Sequence, residues 1–488
     1  MGIVLKQSLH NTIITYVGFG IGALNVMFLY TNFMSDQYYG LINVILSASA
    51  VLMPLLAFGV PNALVKFYSS FSDKDTKEGF LTLMLLLPLV LMFPIALITY
   101  LAYDLIGNFI SRENPIVKDY LWYIFLIGMA MAYFEVFYAW SRIRMKSVFG
   151  NFMKEIFCRV AQTLLLVLLF FDMISVAFFL KALVGFYLLR TIIMQVYAYR
   201  VRMPKFSFDF PKNTPDIIKY SALIILGGSA AIVLLEVDKV MINQFIKIEN
   251  VAYYSVASFM AIAIAVPSRS MHQITYPLTA KLLNDRDIGS LKTLYQKSSL
   301  TLFIISGILF VLLLLNLNDI YSMLPENYRD GLMIVFWIGL AKVYDALLGN
   351  NNAIMYNSDY YTAVLMMGVL LAILTIVFNL WLIPVYGLNG AAIASFSSFF
   401  IYNTIKLVYV HKKYHMYPFT AETFKVLMLL LLSTALFYYL QFPFHPIINI
   451  ALKSLLILAF YIGILYRFKI SDDVFAMLRG LLGGKNKD

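Results

Sequence analysis

The sequence predicts an all-α polytopic membrane protein with about 14 transmembrane helices, and two observations lead to that fold class. Of the 488 residues, 61% are hydrophobic and only 13% are charged, a balance that a soluble globular domain does not need. Apolar stretches long enough to cross about 30 Å of hydrocarbon also recur along the whole chain. They lie near residues 11–33, 40–62, 80–103, 117–139, 152–171, 173–197, 217–241, 251–274, 298–317, 331–349, 360–383, 387–408, 424–442 and 446–466.

Two of these stretches need a turn to separate them, because no charged residue occurs from 360 to 405. Pro384 and Gly387 in the segment IPVYGLNG supply that turn. At the other end of the chain, the first apolar run begins only after His10, exceeds 20 residues and lacks a small-residue cleavage site. It therefore reads as a retained helix rather than a signal peptide.

The distribution of basic residues orients the predicted helices. Most of the 37 Lys and Arg residues fall in alternate connections, and the other set of connections holds only Arg112, Lys118, Lys247 and Arg329. By the positive-inside rule, both termini are expected on the cytoplasmic side of the membrane. The net charge of +11 is then mostly a consequence of topology, so we expect no nucleic-acid partner.

The sequence offers no sign of redox, metal or catalytic chemistry. Cys158 is the single cysteine, which excludes a disulfide framework within the chain and a thiolate cluster. His411 and His415 lie four residues apart, but a solvated basic turn explains them better than a metal pair. No phosphate-binding glycine loop, nucleophile elbow or HExxH helix is present. We therefore expect no metal, no cofactor and no enzyme active site.

A weak internal repeat divides the chain. One ungapped shift places Tyr38 on Tyr253 and Ala177 on Ala392, in the second and sixth predicted helices of each half. The predicted lobes are residues 1–215 with six helices and 216–415 with six more, followed by a helix pair in 416–470 and a tail, 471–488. Because six is even, the repeats are parallel, an arrangement found in transporters that rock about a central site. The tail predicts an amphipathic helix on the cytoplasmic leaflet.

Four segments resemble a known family. In order, they are SDQYYG (35–40), DKVMINQFIKIENVAYYSVASF (238–259), YPLTAKLLNDRDIGSLKTLYQKS (276–298) and IPVYGLNGAAIASF (383–396). They are similar to segments of the polysaccharide flippases, exporters of lipid-linked oligosaccharides, whose superfamily includes the MATE drug exporters and the lipid II flippase. The resemblance implies a MATE-like fold, alternating access and a lipid-linked substrate.

Three charged residues in the seventh predicted helix are candidates for the site. Each charge at mid-depth in a membrane costs roughly 2.5–3.5 kcal/mol on insertion scales. Glu236 and Lys239 are three residues apart and can meet, whereas Asp238 points elsewhere. Lys239 is a candidate for binding diphosphate or glycan, and Glu236 and Asp238 are candidates for a counter-ion or proton carrier. A structural ion pair near the lipid boundary explains them equally well.

A second group lies in the second half of the chain. Lys342 and Asp345 repeat the three-residue spacing near the middle of the tenth predicted helix, and Arg269 follows the helix-breaking Pro267. We expect Lys342 and Arg269 to bind substrate and Asp345 to be a counter-ion or proton candidate. Lys66 and Glu135 are candidates for a cytoplasmic vestibule.

Other cations in the apolar stretches lie closer to the ends of their helices, where long side chains reach lipid headgroups at little cost. We expect this behaviour for Arg159, Arg190, Lys406, Lys425 and Lys453.

The residues and the resemblance together predict a flippase that moves a polyprenyl-diphosphate oligosaccharide from the cytoplasmic to the periplasmic leaflet, for O-antigen, capsule or exopolysaccharide synthesis. Membrane lipids and polysaccharide-assembly proteins are expected partners, and proton or sodium coupling stays open. A MATE-type drug exporter or a lipid II flippase is the alternative. A membrane polymerase or glycosyltransferase is disfavoured because the predicted outside connections are at most about 15 residues long.

Overall fold

The computed structural model describes residues 2–71, 73–228, 230–358 and 360–471, and this part of the chain is α-helical without β-strands. It packs as two compact units. Unit 1 comprises Met1–Ser255 with Gly368–Ala391, and unit 2 comprises Val256–Met367 with Ala392–Asp488. The all-α fold class predicted from the sequence is therefore confirmed.

Unit 1 is built from long apolar helices joined by short turns. Its core surrounds fully buried Phe80, Phe134 and Trp140. Two π-helical segments, Asn25–Leu29 and Met153–Phe157, join α1 to α2 and α8 to α9. The helices are α1 (Gly2–Leu24), α2 (Tyr30–Phe33), α3 (Asp36–Leu56), α4 (Val60–Phe67), α5 (Lys74–Leu101), α6 (Tyr103–Ile110), α7 (Leu121–Arg142), α8 (Val148–Phe152), α9 (Cys158–Phe170), α10 (Val176–Val201), α11 (Thr214–Gly228) and α12 (Ala230–Phe245).

Unit 2 begins inside α13 (Glu249–Ile262), which continues into it from unit 1. Its core includes Ile304, Val426 and Tyr461. The break before α14 falls beside Pro267, as expected from the sequence. The remaining helices are α14 (Val266–Asn284), α15 (Ile288–Leu315), α16 (Leu317–Ser322), α17 (Leu332–Leu347), α18 (Asn351–Asn357), α19 (Tyr361–Tyr414), α20 (Ala421–Phe437) and α21 (Pro446–Arg467).

Helix α19 is two helices that meet at Gly387. The backbone there has φ 57° and ψ −132°, a conformation that is open to glycine and strained for other residues. Pro384 precedes the break by three residues. The predicted division of this long uncharged segment is therefore confirmed.

Within the described residues, nine helices are long and apolar enough to cross a membrane, or ten if the pair 326–347 and 351–357, bent by 59°, counts as one span. The chain is thus a multi-pass membrane protein. The count of fourteen spans and the parallel repeat remain predictions. The amphipathic helix expected in the tail lies outside the described residues, which end at residue 471.

Several helices begin where a side-chain oxygen caps free backbone N–H groups. Asp73 accepts from the N–H of Thr76 at the start of α5, and Asp287 accepts from that of Ser290 at the start of α15. These bonds hold the pKa of both carboxyl groups below the ordinary value of 3.8.

The compact units do not follow the lobe boundary at 215. Residues 216–255 and 368–391 pack with unit 1, so α11, α12 and part of α19 belong to the same packed body as α1–α10. The lobes 1–215 and 216–415 describe a sequence repeat, and that repeat stays a prediction.

Candidate functional site

Unit 1 contains a cavity of about 650 Å³, a volume typical of sites for small ligands. Helices α3, α4, α7, α9, α10, α11 and α12 line it, together with the π-helical segment Met153–Phe157. Gly59, in the turn between α3 and α4, adopts a φ of 65°, and the Ser221 carbonyl lies where a Cβ would be. The charged lining residues are Glu135, Arg142, Lys154, Glu155, Arg159, Arg190 and Glu236.

Two of the cavity carboxylates form ion pairs with neighbouring cations. Lys154 Nζ lies 2.6 Å from Glu135 Oε1, and Arg159 Nη1 lies 3.0 Å from Glu155 Oε2. Arg159 also donates to the Glu155 carbonyl at 2.8 Å. These partners compensate the negative charge of both acids, so neither acid is poised to attract a cationic ligand.

The third carboxylate, Glu236, is held by two donors. Lys239 Nζ lies 2.9 Å from Glu236 Oε2, and the Ser47 hydroxyl donates to the same oxygen at 2.6 Å. The predicted meeting of Glu236 and Lys239 is confirmed. Lys239 itself does not line the cavity in unit 1 but neutralises a residue that does.

Two arginines in the cavity have no such carboxylate. Among the described residues, Arg142 and Arg190 form no ion pair, and neither Nε has a hydrogen-bond acceptor. Their guanidinium groups pack on rings instead: Arg142 Cζ lies 4.9 Å from the Tyr138 centroid, and Arg190 Cζ lies 4.1 Å from Phe134 and 4.9 Å from Tyr187. The cavity therefore has an excess of positive charge in the form of planar groups suited to phosphate.

Local helix geometry explains why these residues converge. Helices α7 and α10 pack closely, and the Thr191 hydroxyl donates to the Ala130 carbonyl at 2.7 Å. This contact places Arg190, the preceding residue, beside the α7 side chains. The π-helical segment Met153–Phe157 carries Lys154 and Glu155, and such inserted turns frequently occur at functional sites.

The vestibule candidates Glu135 and Lys66 have different surroundings. Glu135 lines the cavity, and its assignment to a cytoplasmic vestibule stays a prediction. Lys66 ends α4 and is exposed, and its Nζ lies 3.9 Å from the Tyr220 ring. Lys66 is not among the residues that line the cavity.

Asp238 belongs to a buried network apart from the Glu236 pair. It is 3% exposed and accepts hydrogen bonds from the Tyr254 hydroxyl at 2.6 Å and from Asn379 Nδ2 at 2.7 Å. The expectation that Asp238 points away from Glu236 and Lys239 agrees with these contacts.

The candidates of the second half lie in unit 2. Lys342 is 8% exposed, and its Nζ lies 4.3 Å from the Phe399 ring. Asp345 accepts from Asn403 Nδ2 at 3.2 Å. Arg269 is exposed on α14 just after the break at Pro267. Their roles in substrate binding stay predictions.

The expectation that cations near helix ends reach lipid headgroups is wrong for three residues. Arg190, Lys406 and Lys453 are 6%, 1% and 2% exposed. Lys406 donates to Asn352 Oδ1, and Lys453 donates to the Leu315 carbonyl, each at 2.6 Å. Neighbouring helices provide these partners. The position of a residue along its own helix, which is all that the sequence shows, does not reveal them.

Sequence reasoning therefore missed most of the cavity. The positive-inside rule treats Arg142 and Lys154 only as charges of the inside connections, and Arg159 and Arg190 are expected only as end-of-helix cations. Two signals were present: Arg190 lies roughly 21 Å along α10, near the middle of a span, and Glu155 and Arg159 have the four-residue spacing of a helical ion pair.

Among the described residues, no group of three His, Cys, Asp or Glu side chains could hold a metal ion.

Comparisons with known proteins agree with this architecture. The family model described as polysaccharide biosynthesis protein matches residues 4–283, more than half of the chain. No curated protein sequence matches it.

Solved structures with the same fold are membrane transporters. The lipid II flippase MurJ, in an inward closed conformation, is 14% identical with a TM-score of 0.69, and the match covers 94% of this chain and 99% of that chain. An inward-facing multidrug resistance MATE family transporter of the MOP superfamily is 13% identical with a TM-score of 0.58, over 85% of this chain and 98% of that one. A MATE transporter in the straight conformation is 14% identical with a TM-score of 0.54, over 85% and 96%. The chain shares the fold of these transporters, and it belongs to the polysaccharide biosynthesis protein family.

Proposed function

We propose that this protein is a flippase that carries a polyprenyl-diphosphate-linked oligosaccharide from the cytoplasmic to the periplasmic leaflet of a bacterial inner membrane, for cell-surface polysaccharide synthesis. The family and the shared fold support a membrane flippase or transporter rather than an enzyme. We propose in addition the polyprenyl-diphosphate-linked substrate, the bacterial inner membrane and the direction of transport.

The excess positive charge of the unit 1 cavity supports this substrate class most directly. A diphosphate that leaves water loses its hydration, and only cations or hydrogen-bond donors aimed at it offset that loss. Arg142 and Arg190 line the cavity and form no ion pair with any residue that the structure describes, and each can donate two parallel N–H groups to phosphate oxygens. The lipid tail can remain in the bilayer while the polar head occupies the cavity.

The second unit and the energy source complete the proposal. Lys342 and Arg269 bind the oligosaccharide or diphosphate after the bundles change from inward to outward access, which is the motion that the predicted parallel repeat implies. Proton or sodium binding at Asp238, Glu236 or Asp345 supplies coupling. Polysaccharide-assembly proteins receive the product on the outside.

Deletion of the gene tests the proposed substrate. We expect a lipid-linked oligosaccharide to build up in the cytoplasmic leaflet of the deleted strain and to disappear when the wild-type gene is restored. The double variant Arg142→Gln/Arg190→Gln should insert normally and leave the oligosaccharide accumulated. Arg329→Gln, which removes a charge from an exposed site, is the matched control. An unchanged pool of lipid-linked oligosaccharides in the deleted strain would refute the proposal.

A MATE-type drug exporter is the second candidate, favoured by the shared fold. Such an exporter needs carboxylates available for a cationic drug, whereas Glu135, Glu155 and Glu236 are all engaged by cations. Drug sensitivity of the deleted strain with an unchanged lipid-linked pool would favour the exporter. If the protein is instead a lipid II flippase, as the similarity to MurJ suggests, the deleted strain should accumulate the peptidoglycan precursor lipid II.

A further inference from the structure

Three cations surround one tyrosine ring in unit 1, away from the lining of the cavity. Lys77 Nζ, Arg202 Cζ and Arg144 Cζ lie 5.1, 5.6 and 5.9 Å from the centroid of Tyr68. Each distance is within the range of a cation–π contact. We call these four residues the Tyr68 cluster. They come from the turns after α4, α7 and α10 and from the first turn of α5, which the positive-inside count places on the cytoplasmic side.

Arg202 is the structural member of the cluster. Its Nη2 lies 2.5 Å from Glu78 Oε1, its Nη1 donates to the Tyr68 hydroxyl at 2.5 Å, and Trp140 Nε1 donates to its carbonyl at 3.1 Å. Both Arg202 and Glu78 are largely buried in this pair. Arg202 is thus neutralised, and it fixes the position of the Tyr68 ring.

Lys77 and Arg144 have no comparable neutralising partner. Neither forms an ion pair within the described residues; Arg144 is exposed and Lys77 is half-buried. Of the acids on the same turn, Asp73 accepts hydrogen bonds from Thr76 and caps α5, and Asp75 is exposed. Two cations directed at one fixed ring therefore remain available to an anion.

The adjoining chain places this charge next to an apolar surface. The extended segment after α10 is fastened to α5, because the N–H of Ser207 donates to Thr82 Oγ1 at 3.1 Å. Phe206 and Phe208 on this segment are 67% and 73% exposed. Exposed Phe side chains together with Lys and Arg are typical of segments that lie in the interface of a bilayer. An anion that reaches the cluster is therefore expected to be carried by a lipid.

We propose that the Tyr68 cluster is a docking site for the diphosphate head of the lipid-linked substrate, occupied before that head enters the cavity. The proposal rests on the proposed function and on the predicted orientation. A diphosphate that joins a lipid to a sugar carries one negative charge on each phosphate, which matches the two available cations, whereas a phospholipid phosphodiester would leave one of them uncompensated. Arg142, two residues before Arg144, lines the cavity, so the end of α7 carries one cation at the cavity and the turn after it carries one in the cluster.

A fluorophore beside the cluster measures its occupancy without interference from the cavity. Ser70 is exposed in the same turn as Tyr68, and the single natural thiol, Cys158, is buried. Full-length protein carrying Cys158→Ala and Ser70→Cys, labelled with an environment-sensitive dye, is placed in nanodiscs with increasing amounts of a polyprenyl diphosphate. We expect a saturable signal that weakens about tenfold in apparent affinity in Lys77→Gln/Arg144→Gln.

Matched variants separate this site from other sources of binding. Lys74→Gln/Lys146→Gln removes the same charge from exposed lysines on the same turns and should leave the signal unchanged. No signal with polyprenyl diphosphate, or an equal signal with phosphatidylglycerol at matched charge, would overturn the docking site.

Export in cells distinguishes failure of the docking site from failure of the proposed function. We expect Lys77→Gln/Arg144→Gln to slow export of surface polysaccharide. Normal export in this variant, together with lost export in Arg142→Gln/Arg190→Gln, would overturn the docking site and leave the proposed function standing. Absence of any accumulated lipid-linked saccharide in the deleted strain would refute the function itself.

Discussion

Replacement of Arg190 by Gln removes the cavity cation that is most enclosed by protein. Arg190 is 6% exposed, forms no ion pair within the described residues, and packs 4.1 Å from Phe134 and 4.9 Å from Tyr187. Its ring contacts contribute on the order of 0.5–2 kcal/mol, whereas its burial without an ion pair among the described residues costs several kcal/mol, so we expect the Gln variant to be no less stable than the wild type. The large effect should be on binding.

The expected loss of affinity follows from the bonds that Arg190 can offer. A hydrogen bond to a charged group contributes about 1.5–3 kcal/mol, and about 1.4 kcal/mol corresponds to a tenfold change in Kd. Arg190→Gln should therefore weaken polyprenyl diphosphate binding about 10- to 150-fold. Arg190→Lys keeps the charge without the planar fork and should fall between the two.

The assay is a binding titration of purified protein in nanodiscs, with thermal unfolding of each variant measured in parallel. Lys425→Gln is the control, because its side chain is 55% exposed and lies outside the cavity. A Kd for Arg190→Gln within twofold of the wild type, in a protein with an unchanged unfolding temperature, would refute the assignment of Arg190 to the site.

The remaining predictions concern the Glu236 pair, unit 2 and the helix caps. Lys239→Gln removes the cation from the half-buried Glu236 carboxylate and leaves the Ser47 hydroxyl as its donor among the described residues, so we expect a loss of about 1–2 kcal/mol in unfolding free energy. The double variant Lys239→Gln/Glu236→Gln should recover this loss, and a double-mutant cycle measures it. Lys342→Ala should abolish surface glycan while the protein stays inserted; normal glycan on intact cells would remove this lysine from the site. The pKa values of Asp73 and Asp287 lie below the ordinary 3.8, so their stabilisation is present above that pH and is lost as pH falls through the lowered values. Unfolding temperatures between about pH 5 and pH 3 should therefore depend less on pH in the double Asp→Asn variant, and an unchanged slope would contradict the capping role.

The sequence was sufficient to predict the fold class because the hydrocarbon core of a membrane constrains each helix separately in length, hydropathy and backbone hydrogen bonding. Length, hydropathy and the distribution of Lys and Arg predict spans one at a time. The break at Gly387 was also predictable from its own segment. A charge-free segment longer than one span requires a break, and the glycine at the predicted turn supplies it.

The candidate site was harder to predict, because burial of a side chain depends on which helices become neighbours. Arg190 and Lys406 were expected to reach headgroups, yet other helices enclose both. The Glu236–Lys239 pair was predictable because both residues lie on one helix. Arg142 was assigned to a connection, and only the packed bundle places it at a cavity.

Transport by the purified protein tests the central claim most directly. A fluorescent polyprenyl-diphosphate oligosaccharide is placed in both leaflets of liposomes, and an enzyme outside the vesicles removes the accessible fraction. Liposomes with wild-type protein should lose nearly all of the substrate, whereas liposomes with Arg142→Gln/Arg190→Gln should retain the inner-leaflet half, as protein-free liposomes do. Retention of that half by wild-type liposomes, under imposed proton and sodium gradients, would contradict the account.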